Sequence, residues 1–451
     1  MADLLSIVLA AGEGTRMRSS LPKVLHQVGG LPMVSHVIRS AQAAGAGELA
    51  VVIGPGHDDI RAAIAREAPA AAVFEQAERQ GTGHAVRTAQ AAFANALGNV
   101  VVLYGDTPLV TPATIAAVTA KLDAGADLVV VGFEPENPSG YGRLLTAGDQ
   151  LLAIREHRDA SEDERAVRLC NSGIMGFKAA TLRAVIDRIG NDNAKGEYYL
   201  TDAVELANID DVAVEFTVVD AREVIGVDDR AKLALAESYF QERKRAEHML
   251  AGVTLHDPRT VYFSWDTKIG GDVVIEPSVV FGPGVSVGEG TVIHAFSHIE
   301  GASIGAGAAV GPFARLRPEA MLADGAKVGN FVEVKKANIG KGAKVNHLTY
   351  IGDADVGAKA NIGAGTVTCN YDGVNKSRTV IGDNVFVGSN SSLVAPVTIG
   401  NGAYIASGSV ITKDVEPDAL ALGRARQENK LGYAPRLKAR AEAAKRARSK
   451  E

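Results

Sequence analysis

Residues 269–299 read IGGDVV-IEPSVV-FGPGVS-VGEGTV-IHAFSH-I, divided here into sixes. Ile269, Ile275, Phe281, Val287, Ile293 and Ile299 recur at that step, and four places after each of the first five comes Val273, Val279, Val285, Thr291 or Ser297. A second unbroken run follows: Ile381, Val387, Leu393, Ile399, Ile405 and Ile411, with Val385, Ser391, Val397, Ala403 and Ser409. Between the runs the step survives in shorter blocks, Ile304, Val310, Leu316 and then Ile339, Val345, Ile351, with one-residue slips. A period of six is neither the 3.6 of a helix nor the 2 of a strand, but it is a solenoid period. Each hexad makes one short flat strand and a corner, and three close an 18-residue triangular coil. The aliphatic side chain points into a narrow prism, and only a small one fits beside it. Coils stack at the ~4.8 Å strand spacing. The alternative, a Gly-rich antiparallel barrel with chance spacing, is disfavoured by two runs of six without a miss. Residues 317–327 and 369–379 (CNYDGVNKSRT) break the rhythm and are predicted as loops on the binding face. A prism this thin binds ligands on its outside or between chains.

Ahead of the hexads the rule changes. Apolar runs of strand length at 5–9, 49–53, 100–104 and 128–131 alternate with Ala-rich helical stretches at 36–44, 60–65 and 85–96. This rhythm predicts a parallel sheet covered on both faces, with ligands at the carboxyl ends of its strands. Residues 230–250 read as one long connecting helix. The expected organisation is therefore 1–228, a Rossmann-like α/β domain; 229–250, a linker helix; 251–436, the solenoid; and 437–451, a basic tail.

Composition agrees. Of 451 residues, 46% are hydrophobic and 22% charged, which excludes wholesale disorder. No stretch approaches the ~20 apolar residues of a membrane span. The apolar run from Leu4 to Ala11 follows Asp3, where an export signal would carry a cation, and reads as a strand. Two cysteines, Cys170 and Cys369, form no disulfide framework and fit a reducing, cytoplasmic setting. The net charge of −6 is uneven, since residues 424–451 carry ten Lys/Arg against three Asp/Glu. That tail is read first as a solvated end, frayed beyond about Leu437, with contact to nucleic acid or a phosphorylated ligand as the other reading.

Residues 9–17 run Leu-Ala-Ala-Gly-Glu-Gly-Thr-Arg-Met, and Pro22-Lys23 follow. Gly12 and Gly14 let backbone N–H groups approach a polyanion at a strand end, while Arg16 and Lys23 supply charge for a departing phosphate group. G-x-G alone is weak evidence, but G-x-G-T-R with Pro-Lys beyond it is specific. The segment resembles the sugar-nucleotide pyrophosphorylases. With QAERQGTGH at 76–84, YGD at 104–106, GYGR at 140–143, EH at 156–157, NSGI at 171–174 and the hexads, nearly the whole chain resembles one family. This is the bifunctional bacterial N-acetylglucosamine-1-phosphate uridyltransferases / glucosamine-1-phosphate acetyltransferases.

The resemblance implies a left-handed parallel β-helix, a homotrimer and synthesis of UDP-N-acetylglucosamine from small-molecule substrates, with neither nucleic acid nor membrane as partner. For the UTP and UDP-N-acetylglucosamine site it implies Leu9, Ala10, Ala11, Gly12, Lys23, Gln76, Gly81, Thr82, Tyr104, Gly105, Asp106, Gly142, Glu156, Asn171 and Asp228. It further implies that Arg16 and Lys23 act in catalysis and that Asp106 with Asp228 holds Mg²⁺. Asp228 departs from the family's usual Asn, and Asp is an equally good oxygen ligand. For acetyl transfer the resemblance implies His347 as general base, with Glu333 orienting it. Arg317, Lys335, Tyr350 and Asn361 match contacts to glucosamine 1-phosphate. Ala364, Asn370, Tyr371, Ser389, Ser407 and Arg424 match acetyl-CoA positions, Ser407 standing where Ala is common. Spacings of 14 from Glu333 to His347 and from His347 to Asn361 are taken to stack the three along one edge. Two other readings stay open: a nucleotidyltransferase whose repeats only oligomerise it, and a non-catalytic assembly subunit.

Overall fold

The computed structural model describes residues 4–148 and 150–449; Asp3, Asp149 and the last two residues of the tail lie outside them. The chain forms two compact units, one of residues up to Leu250 plus Tyr262–Thr267, the other of Ala251–Val261 and everything from Lys268 on.

In the first unit the strands Leu4–Ala10, Glu48–Ile53, Asn99–Tyr104 and Leu128–Phe133 stand where the apolar runs place them. The central strand shows why an unbroken run suits a sheet buried on both faces. Leu5, Ile7 and Leu9 enter one core, and Leu4, Val8 and Ala10 enter the other. The sheet order is Val214–Val219, Leu128–Phe133, Cys170–Lys178, Asn99–Tyr104, Leu4–Ala10, Glu48–Ile53, Ala72–Glu75. The expected all-parallel sheet is corrected: Arg143–Ala147 and Gln150–Arg155 join it through antiparallel pairs, and Cys170–Lys178 runs antiparallel to both its neighbours in this order. Its glycine-interrupted sequence reads as a motif and hides a strand. The helical stretch at 85–96 is likewise two helices, Thr82–Thr88 and Gln90–Phe93. The helix Arg230–Leu250 belongs to this unit, with Ala236 and Phe240 buried against Val28, Met33, Leu109 and Val227. Gln241 ties it to Phe263, accepting from the Phe263 N–H at 2.8 Å and donating to the carbonyl at 2.7 Å.

The second unit is a prism of stacked two- to seven-residue strands, parallel throughout. One face alone runs ten rungs, from Thr254–Leu255 to Leu420–Ala421. Register follows the coil: Val274 pairs with Val292, 18 on, and after each slip the step is 17, as for Ser286 with Ser303. Ile275, Ile293, Val310, Leu316, Val345, Ile351, Val387 and Leu393 are fully buried. The buried hydroxyls beside them return to the corner backbone, Thr291 to the Gly305 carbonyl at 2.9 Å and Ser391 to that of Gly388 at 2.7 Å. Of the two predicted loops only one exists. Residues 317–327 form an ordinary coil segment around the strand Ala320–Leu322, since Leu316, Leu322 and Val328 keep the step of six beneath polar corners. At 369–379 the register jumps, Ala354 pairing with Thr379. The expected fraying of the basic tail is corrected, since Tyr433–Arg448 is a helix, while its residues are exposed.

Candidate functional sites

The strand Leu4–Ala10 delivers the glycine loop to one end of the sheet. Gly14 has φ 64°, and a Cβ there would strike the Lys23 side chain, so the loop turns tightly over that lysine. Lys23 Nζ reaches Asp106 Oδ2 at 2.5 Å, just past the end of Asn99–Tyr104. The Val227 N–H donates to the Asp106 carbonyl at 2.8 Å and so brings Asp228 to the same strand end. Asp228 Oδ2 pairs with Arg16 at 2.9 Å and Lys232 at 3.2 Å, while its Oδ1 is buried without a hydrogen-bond partner.

One cavity of about 470 Å³ is lined by Leu9, Ala10, Ala11, Gly12, Arg16, Lys23, Gln76, Gly81, Thr82, Tyr104 and Asp106, with Arg79, Lys195 and Glu197 added. Gly105 joins the wall through its N–H to the Leu9 carbonyl, 2.9 Å. Gly81 needs to be glycine: φ is 106°, and a Cβ would lie 2.6 Å from the Tyr198 carbonyl. Buried Gln76 donates to the Gly81 carbonyl at 3.2 Å and meets His84 Nδ1 at 2.9 Å. A neighbouring cavity of about 570 Å³ is lined by Arg16, Tyr141, Glu156, Lys195, Tyr199 and Asp228, among others. The Asn171 N–H bonds the Gly142 carbonyl at 2.9 Å, and a Cβ on Gly142 would lie 3.3 Å from Glu156 Oε1, so these three predicted residues meet. Burial raises the Glu156 carboxyl above its usual range, with Lys195 opposing. Burial also raises the Tyr104 phenol. Arg79 and Lys195 were missed because isolated cations in irregular segments carry no periodic signal, and Lys232 because it reads as one more polar residue of a helix.

Asp106 and Asp228 fit Mg²⁺ as its protein ligands. Among the described residues no group of three or more His, Cys, Asp or Glu could hold a metal. Mg²⁺ needs only one or two carboxylates with substrate phosphates, and the orphaned Asp228 Oδ1 is an acceptor awaiting a partner.

On the prism, register decides which residues meet. Asn330 pairs with His347, 17 residues on, and Oδ1 of Asn330 lies 2.7 Å from Nδ1 of His347. With that oxygen as acceptor, Nδ1 carries the proton and the lone pair sits on exposed Nε2. Glu333 lies instead on the next face, paired with Tyr350 and bonded to Arg317 at 2.8 Å. Asn361 stacks on Lys344, so the 14-residue edge of Glu333, His347 and Asn361 is corrected. Three places after the paired strand residues Lys327, Lys344, Asn361, Phe386 and Tyr404 come Asn330, His347, Ala364, Ser389 and Ser407. These form a file along one corner, continued by Arg424, which donates to the Ser407 carbonyl at 2.9 Å. Asn370 and Tyr371 open the 369–379 loop on the next face, where Asn370 donates to Asp353 at 2.5 Å. Lys335 shares that face, and contact with Lys376 of the loop lowers its ammonium below the usual lysine range, with Asp353 opposing. Asp353 and Lys376 are additions that only the stacking brings in.

The chain is similar to known proteins along its whole length. Residues 6–172 match the MobA-like NTP transferase domain, and 266–301 and 378–413 match the bacterial transferase hexapeptide repeats. It is 57% identical over 449 residues to the bifunctional protein GlmU of Rhizobium etli, covering 99% of both chains. To those of Agrobacterium fabrum and Bartonella quintana it is 56% and 51% identical, covering 99% and 98% of this chain and 98% of each relative.

Proposed function

This chain belongs to the family of bifunctional GlmU proteins, and from that premise we propose how its residues divide the synthesis of UDP-N-acetylglucosamine. The enzyme acetylates the amine of glucosamine 1-phosphate with acetyl-CoA, then transfers the uridylyl group of UTP to the N-acetylglucosamine 1-phosphate formed. The observation that carries the reading is that each unit bears its own polar cluster: Arg16, Lys23, Asp106 and Asp228 at the sheet end, Asn330 and His347 on the prism corner.

In uridylyl transfer the sugar phosphate attacks the α-phosphorus of UTP in line, and pyrophosphate leaves. Both reactants are anions, so catalysis is alignment and charge neutralisation. Leu9 to Gly12, Gln76, Gly81 and Thr82 hold the nucleotide; Tyr104, Gly105, Gly142, Glu156 and Asn171 hold the hexosamine. Arg16 and Lys23 leave their carboxylates and turn to the phosphates. Asp106 and Asp228 would hold Mg²⁺, which supplies further charge neutralisation when bound.

In acetyl transfer Nε2 of His347 takes a proton from the sugar amine, the amine nitrogen bonds the acetyl carbon, and the carbon–sulfur bond breaks to release CoA thiolate. Arg317, Lys335 and Lys376 meet the sugar phosphate; Tyr350 and Asn361 meet the sugar. Ala364, Ser389, Ser407 and Arg424 form the acetyl-CoA file, with Asn370 and Tyr371 completing it. Glu333 acts through Arg317. The chain works as a homotrimer, a reading supported by the exposed stack of Phe296, Phe313 and Phe331, 4.9 and 5.1 Å between rings, an apolar strip suited to burial. Two free cysteines support a cytoplasmic setting.

Incubation with glucosamine 1-phosphate, acetyl-CoA and UTP, with products weighed by mass spectrometry, tests the whole reading. UDP-N-acetylglucosamine is expected. Absence of thiol release alone would leave only a uridyltransferase, and absence of both thiol release and UTP-dependent pyrophosphate would leave a non-catalytic subunit. Sedimentation at three times the chain mass is the expected oligomer result.

A further inference from the structure

Glu13 stands between Gly12 and Gly14, in a loop whose backbone approaches a polyanion. A carboxylate there opposes the ligand unless a cation answers it. The cation is Arg79, from the segment that carries Gln76 and Gly81. Its Nη1 donates to Glu13 Oε1 at 2.5 Å and its Nε to the Ala11 carbonyl at 2.8 Å. Arg79 also sits in a wall common to two cavities. One holds Gly12, Thr15, Arg16, Lys23 and Asp228; the other holds Gln76, Thr82, Tyr104 and Asp106. Glu13 is the more exposed partner, 57% against 32% for Arg79.

We propose that Arg79 is a positioning residue for the β- and γ-phosphates of UTP, held by Glu13 in the free chain and passed to the phosphates when the nucleotide enters. The proposal rests on the uridylyl-transfer reading above. A guanidinium fork can keep Nε on the Ala11 carbonyl while Nη1 exchanges a carboxylate for a phosphate oxygen, which the single ammonium of a lysine cannot do in the same geometry. Glu13, on the open side, turns to water. Glu13 is not among the carboxylates assigned to Mg²⁺, so the exchange leaves Asp106 and Asp228 undisturbed.

Steady-state kinetics of the full chain test this in both directions, varying UTP forward and pyrophosphate in reverse. Loss of a charge-assisted hydrogen bond in R79Q should raise KM for UTP and for pyrophosphate about tenfold, with kcat changed less than about threefold. R79K should recover part of that loss. E13Q should lower KM for pyrophosphate, because the competing carboxylate is gone. A merely structural anchor would make E13Q follow R79Q, with KM raised in both. R79Q with unchanged KM values, or E13Q with a raised one, overturns the proposal while wild-type activity still stands. A wild-type chain that releases no pyrophosphate refutes the functional reading and this proposal together. Thermal melts monitor folding, and if R79Q fails to fold, R79K and E13Q decide by the same criteria.

Discussion

Replacing Asn330 by Ala removes the acceptor that faces Nδ1 of His347 at 2.7 Å. One net hydrogen bond contributes about 1 kcal/mol, so the share of imidazole held with its Nε2 lone pair outward falls about fivefold. A general base contributes about 10²- to 10⁴-fold in all, which caps the loss. We expect kcat for acetyl transfer to fall by up to about fivefold, with both KM values within about twofold and uridylyl transfer unaltered. Thiol release from acetyl-CoA reads the first reaction and pyrophosphate release the second. Asn330→Asp keeps the acceptor and adds an anion. N330D should therefore keep more of the wild-type kcat than N330A. Full kcat in N330A, or an N330D variant as slow as N330A, would refute the reasoning.

Further outcomes follow from other parts of the molecule. His347→Ala should reduce acetyl transfer about 10²- to 10⁴-fold and spare uridylyl transfer, with Asp106→Ala doing the reverse; if each stops both reactions in folded protein, the division of labour is wrong. Burial pushes the Asp202 carboxyl up to about 6, with Glu205 adding to it. A raised folded value favours the protonated form, so wild-type stability is full below about pH 4 and declines as pH rises through about 6. Asp202→Asn should therefore gain about 1 kcal/mol on wild type between those limits after allowance for solvent, and melts showing the difference constant with pH would contradict this. Leu316 is fully buried and is paired with Ile299 on one side and Val334 on the other. Leu316→Ala should cost about 2–5 kcal/mol in urea unfolding, and a loss below about 1 kcal/mol would mean a loosely packed prism.

Legibility varied with the range of the signal. The hexads were readable because each aliphatic obeys a rule that spans six residues, and Leu316, Leu322 and Val328 obey it even where polar corners mask it. The four leading strands were readable because burial on both faces demands continuous apolar runs. Cys170–Lys178 was not, since its interior glycines serve close packing: a Cβ on Gly176 would collide with Val118, and one on Gly173 would lie 2.7 Å from the Tyr104 ring. Most nucleotide-site residues were found through a resemblance, and the sheet end gathers them into adjoining cavities.

By itself, then, the sequence determined the two architectures, because period, run length and the glycine loop are local constraints on backbone and burial, while the chemistry expected of each came from the family resemblance. Only the tertiary structure decided who stands beside whom. His347 meets Asn330 and not Glu333 because a slip makes the coil 17 residues long, a length set by the corners of a whole turn. Asp228 reaches the strand end of Asp106 because one backbone N–H, on Val227, bonds a carbonyl 121 positions earlier. Such meetings are set by the register of distant strands, which no short window of sequence contains.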